Sequence, residues 1–197
     1  MLIDVPDALL TAGLSIFLFL TLGATLALVV FSLRRPTTPP LAVATGLLVF
    51  ATVLTAIAPL NVPALMGLIL AVLAVAVGVL GGNPVTRHVL DLATGGRVRE
   101  TADGGILLPT PRRDDDPSEM EALLRGGTTI GYLERLAVIL SLIAGYPEAI
   151  AVVVAVKGIG RFSELAAAEA RERFIIGTIA SLLWACVAGA LVRLAIW

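Results

Sequence analysis

Apolar residues in this chain run in long blocks. They show neither the two-residue alternation of a half-buried strand nor the narrow stripe of a surface helix. The first block, residues 7–32, reads DALLTAGLSIFLFLTLGATLALVVFS and exceeds the roughly 20 residues that cross a bilayer core. Its flank is acidic before (Asp4, Asp7) and basic after (Arg34, Arg35), the reverse of a cleaved secretory signal. RRPTTPP is a stiff link to a second block, 41–59, and PLNVP (59–63) turns the chain into a third, 64–80. GGNP (81–84) is expected to end that third span, because Gly and Pro interrupt helices. A polar stretch follows, and apolar text resumes at 130–144, 147–159 and 174–196.

The pattern predicts an all-α, polytopic helical membrane protein with about six membrane segments. Its regions are a three-span N-terminal part (1–81), a small cytoplasmic insertion (82–127), and a C-terminal part (128–197) made of a hairpin and the last span. The fourth and fifth segments hold 15 and 13 residues, roughly 20–23 Å at 1.5 Å per residue, short of the roughly 30 Å hydrocarbon core. Two arrangements stay open: a full crossing that draws in flanking residues, or a re-entrant hairpin.

Charge placement orients the spans. With the N-terminus outside, thirteen of the fourteen Lys and Arg residues fall on the cytoplasmic side, and only Arg193 lies outside. That is a strong positive-inside bias. The expected location is a bacterial plasma membrane, multi-pass, with both termini outside.

Composition agrees. Hydrophobic residues make up 58% and charged residues 15%, against roughly a quarter charged in soluble domains, and the mean hydropathy is +0.98. A net charge of −1 gives no reason to expect a nucleic-acid partner. Cys186 is the one cysteine and forms no intrachain disulfide; His88 is the one histidine. His88 and Asp91 stand three apart and can touch one ion, but a catalytic zinc takes three protein ligands. No metal and no cofactor are expected. The chain has no P-loop, nucleophile elbow or zinc-protease motif, so it does not read as an enzyme.

The stretch IGYLERLAVILSLIAGYPEAIAVVVAVKGIGRFSEL (130–165) keeps six charges in apolar text: Glu134, Arg135, Glu148, Lys157, Arg161 and Glu164. AGYPEA (144–149) is turn chemistry. Gly145 suits a left-handed helix end, Pro147 the first turn of the next helix, and Glu148 its positive N-terminus. Folding the hairpin about Tyr146 brings Glu134, Arg135, Lys157 and Arg161 to similar depth, with Glu164 one turn further on. Charges in a span are costly and usually pair. The group reads either as interface charges that fix the depth of the hairpin, or as a site for an anion or lipid head group beside the flexible Gly158–Gly160. A proton or ion relay is the third option.

In the last span Gly177, Ser181, Ala185 and Gly189 recur at four-residue intervals and share one face. Small residues let helices approach closely in lipid. A looser series, Gly67, Ala71, Ala74, Gly78 and Gly82, marks the third span. Either face serves internal packing or an oligomer or partner interface. In the insertion, 83–96 reads as a short surface helix stopped by Gly95–Gly96. RVRETADGGILLP reads as a small hairpin, and Asp116, Pro117 and Glu119 start another short helix.

The C-terminal block, with Ile130, Gly131, Leu133, Glu134, Arg135, Ala149, Ile150, Ala155, Lys157, Arg161, Phe162, Glu164, Ile176, Gly177, Thr178, Ser181 and Trp184, resembles a segment of a group of bacterial inner-membrane proteins. Their pattern is IG-x-LER, then A-x-K-x-x-x-RF-x-E, then IIGT-x-x-S-x-x-WA. This chain departs at Gly158 and Gly160, where the group tends to carry Ala or Ser. The group carries no assigned activity, so the resemblance implies membrane placement alone.

The first functional expectation is a non-catalytic scaffold or accessory subunit. It would sit among membrane lipids and dock a protein partner, or a second copy, at the cytoplasmic face. The second is a small-solute or ion transporter with inverted three-span halves. A lipid-processing enzyme ranks last.

Overall fold

The computed structural model describes residues 5–34, 38–58, 60–95, 99–100, 106–107, 127–160 and 168–197. Six helices carry the fold: α1 Val5–Arg34, α2 Thr38–Ile57, α3 Ala64–Thr94, α4 Gly127–Ile143, α5 Ala149–Gly160 and α6 Ala168–Ile196. Two strands of two residues, β1 Arg99–Glu100 and β2 Ile106–Leu107, pair antiparallel with Arg99 opposite Leu107, at the site of the expected small hairpin. The short helix expected near residues 117–125 lies outside the described residues.

Four helices, α1, α2, α3 and α6, are long and apolar enough to cross a membrane; α4 and α5 have 17 and 12 residues. Large apolar side chains point outward along all of them, among them Phe50, Leu65, Leu68, Val72 and Leu183. Such a surface suits lipid and not water. Hydroxyls on these helices bond back to the carbonyl four residues earlier, as Thr25 does to Thr21 (2.8 Å) and Thr55 to Ala51 (2.7 Å), so these polar groups need no solvent.

The main core joins α1, α2, α3 and α6 through Leu18, Leu22, Leu48, Leu70, Val77 and Leu191. A second cluster joins α4 to α6 through Val138, Ile139, Leu182 and Ala185. Near contacts fix the directions. Gly67 faces Ile196, Gly81 faces Trp184 and Gly177 faces Thr86, so α3 and α6 run antiparallel. Arg135 meets Ser181 and Gly145 meets Arg193, so α4 and α6 run parallel. At the far end of α6 the Val62 amide donates to the Ala195 carbonyl at 2.8 Å, satisfying one of the carbonyls that a helix terminus leaves without a partner.

One boundary differs from the expectation. GGNP does not end the third span: α3 runs unbroken from Ala64 to Thr94 with Pro84 inside it, and stops at Gly95, whose φ is 62°. The expected surface helix 83–96 is thus the continuation of α3, and the 81/82 boundary falls inside a helix. Gly81 and Gly82 mark close packing and not a break. A Cβ at Gly81 would stand 2.5 Å from the Trp184 ring, and one at Gly82 would stand 2.5 Å from Arg135 Nε. Pro84 removes a single donor, a loss that membrane helices tolerate when neighbours hold them.

The α4–α5 turn follows its sequence. Gly145 is left-handed with φ 75°, the Tyr146 amide donates to Ser141 O (2.8 Å) and the Gly145 amide to Leu142 O (3.0 Å). This is the paired hydrogen bonding of a glycine-capped helix end.

Candidate functional site

The site lies at the end of the bundle where α1, α3 and α5 finish and α6 begins, termed the basic end. Arg34, Arg87, Arg135, Lys157, Arg171 and Arg173 belong to this half, whereas Arg193 is in the last turn of α6 at the other end. The charged residues of α4 separate here. Successive residues on a helix point about 100° apart, so Glu134 and Arg135 face different neighbours.

Glu134 faces α5, where Lys157 Nζ donates to its Oε2 as an ion pair. Glu134 is buried and Lys157 half-buried. The same Lys157 Nζ is 5.9 Å from the centroid of the Phe174 ring on α6.

Arg135 faces α3 and α6. It is 2% exposed, and its three hydrogen-bond acceptors among the described residues are all neutral. Nε donates to Val79 O at 2.9 Å, Nη1 to Ser181 Oγ at 2.8 Å and Nη2 to Asn83 Oδ1 at 2.9 Å. Its Cζ lies 5.2 Å from the Tyr132 ring centroid. The planar guanidinium reaches these acceptors because Gly82 and Gly131 give it room. One turn away along α3, Trp184 Nε1 donates to Val77 O at 3.0 Å across Gly81.

Arg135 forms the floor of a cleft of about 170 Å³ between α3, α4 and α6, bordered by Lys157 of α5. Arg87 and Arg173 line its walls, with Asn83 and Ser181 beside Arg135. The first turn of α4 opens onto it through Gly127, Thr128 and Gly131, and adds the positive end of a helix dipole. Thr86 Oγ1, also in the lining, is buried with no hydrogen-bond partner among the described residues. Among the described residues that line the cleft there is no Asp or Glu.

Of the residues singled out in sequence, Glu134 and Lys157 form an ion pair, and Arg135 takes its hydrogen bonds from α3 and α6 instead. The three stand at one end of the bundle, where Glu134 and Lys157 pair directly while Arg135 and Lys157 share the lining of the cleft. Arg161 and Glu164 lie outside the described residues. Gly177, Ser181, Ala185 and Gly189 all face neighbours in this chain. Gly177 meets Thr86 and Leu90, Ser181 accepts from Arg135, Ala185 packs with Val138 and Ile139, and Gly189 meets Leu142 and Ile139. His88 and Asp91 border a separate hollow of about 140 Å³ with Ser32 and Thr38. Among the described residues no three His, Cys, Asp or Glu side chains stand close enough to share a metal ion.

Asn83, Gly81 and the Val79 carbonyl are not legible in sequence as site components. Asn83 inside a Gly-Pro run reads as a turn residue, and a backbone carbonyl leaves no mark in sequence. Comparison with protein-family models, curated proteins and solved structures gave no match.

Proposed function

We propose that the protein is a non-catalytic, six-pass component of a bacterial inner membrane, an accessory or scaffold subunit that binds an anionic group in the cleft at its cytoplasmic end. The observation that carries this is Arg135. Its neutral partners hold the guanidinium without cancelling its charge, and the other charged groups of the described lining are also cations. A buried charge is retained only where something compensates it or uses it. An anion would do both.

The register supports six crossings with both termini outside. From Gly127 to Gly145 is 18 residues, about 27 Å of helix, close to the roughly 30 Å of the hydrocarbon core. The turn at Gly145 then lies level with Arg193, and α5 returns at least to the depth of Glu134. This favours a crossing hairpin over a re-entrant one. The part of α3 beyond Asn83 carries the chain to Gly95 at the basic end, where a partner would dock.

The test is a panel of anions (inorganic phosphate, sulfate, citrate and anionic phospholipid) scored by thermal stability of the purified protein. A bound ligand raises stability by mass action. At least one should do so in the native chain and not in Arg135→Gln; no response to any member would defeat the reading. Cysteines introduced at positions 87 and 146 report topology. Outside-only reagents should reach 146 and leave 87 unlabelled in intact cells.

A second reading, a transporter with inverted halves, is favoured by one observation: Arg135 sits inside the bundle beside Ser181, 15 residues before Ile196, about 22 Å along α6. Solute flux in proteoliposomes that disappears with Lys157→Met would favour it over the first.

A further inference from the structure

Among the described residues the cleft has a side that no helix closes, between α5 and α6. The backbone of α5 approaches α4 alone: among the described residues no Cα of α5 comes within 8 Å of a Cα of α6, and none of the residues of α5 is buried. Packed helices stand 8–10 Å apart between axes and interdigitate, so α5 and α6 leave a gap facing the same surroundings as the outward apolar side chains. The near approach described between them is at its basic end, where Lys157 lies over Phe174. Both helices expose apolar side chains beside the gap, Val152 and Val156 of α5 and Ile175 and Ile179 of α6. A cationic floor thus continues sideways into an apolar slot.

We propose that the cleft takes the phosphate of an anionic phospholipid that enters sideways between α5 and α6, its acyl chains remaining in the slot and the bilayer. This rests on the anion-binding reading of the cleft and adds the source of the anion. Three features fit a phosphate oxyanion. Arg87 and Arg173 flank the buried Arg135, and guanidinium groups suit phosphate oxygens. The first turn of α4 borders the same space, with the positive end of its dipole. Thr86 Oγ1 is a hydroxyl in the lining with no acceptor of its own among the described residues. A soluble phosphate would find the same cations but gain nothing from the slot. An amphiphile uses both.

The experiment compares two arms on the full chain. In the first, protein in nanodiscs of phosphatidylcholine doped with a phosphatidylglycerol bearing a photoactivatable acyl chain is irradiated and the labelled peptides are mapped. In the second, sn-glycerol 3-phosphate and inorganic phosphate compete for that labelling. The expected result is labelling of α5 and α6, little competition by the soluble phosphates, and about tenfold weaker lipid binding for Arg87→Gln or Thr86→Val. Arg87 is exposed, and Thr86→Val keeps the side-chain shape that meets Gly177, so circular dichroism should show the fold retained. Arg135→Met is the stronger variant if it folds. If soluble phosphate binds as well as the lipid, or if the label falls on α1 and α2, the lateral route is overturned while the anion site stands. If neither the lipid nor any soluble anion binds, the anion site falls with it.

Discussion

The side chain of Arg135 occupies the space that any side chain at Gly82 would need, so that a Cβ there would stand 2.5 Å from its Nε. The obstacle is the buried stem and not a free end, because Nε is fixed to Val79 O. Gly82→Ala should therefore lower stability by about 1–3 kcal/mol, the usual cost of overfilling a packed site. At Gly46 an added methyl group would meet nothing within 4 Å, so Gly46→Ala should leave stability unchanged or raise it by up to about 1 kcal/mol. Unfolding in mixed micelles distinguishes the two.

Glu134 and Lys157 are the main polar tie between α5 and its neighbour. Removing Lys157 alone leaves a buried carboxylate without its partner, so Lys157→Met should cost more than the double change Lys157→Met with Glu134→Gln. A double-mutant cycle should give a coupling of about 0.5–3 kcal/mol. Hydrogen exchange should rise in α5 and stay unchanged in α3. Equal exchange in both variants would show that α5 is held by apolar contact instead.

Trp184 donates to Val77 O from a buried position, whereas Trp197 is exposed. Trp184→Phe keeps an aromatic ring and removes the donor, and should cost about 0.5–1.5 kcal/mol. Fluorescence of the remaining Trp197 should then be quenched fully by aqueous acrylamide. A protected residual signal would contradict its exposure.

Ser181→Ala removes one acceptor of Arg135 but leaves Val79 O and Asn83. Its expected effect is about 1 kcal/mol or less, smaller than that of Arg135→Gln, which strips the long-range donor from three acceptors. Equal effects would mean that the serine matters chiefly for helix contact. Thermal unfolding of both variants in one detergent makes the comparison.

Much of the fold is legible in the sequence because its signals are local. The apolar blocks, the left-handed Gly145 before Pro147 and the Gly95 stop need only nearby chain to act. GGNP misleads for the converse reason: Gly81 and Gly82 stay helical where they pack on Trp184 and Arg135, which lie far away in the chain, and such tertiary contacts override local propensity. The site is half visible. Folding a hairpin about Tyr146 brings Glu134, Arg135 and Lys157 to one depth and sets Arg135 opposite Lys157. That Glu134 takes the lysine, and which partners Arg135 finds, require knowing that α4 lies parallel to α6 and against α3. Glu134 and Arg135 are adjacent in sequence and suggest one group, yet a helix turns them toward different walls.

The stripe from Gly177 to Gly189 has a consequence for self-association. Every one of its four members already holds a neighbour from the same polypeptide, so a second molecule cannot reach that seam without first prising the bundle apart. Glycine-to-leucine scanning of the seam would therefore report folding and not stoichiometry.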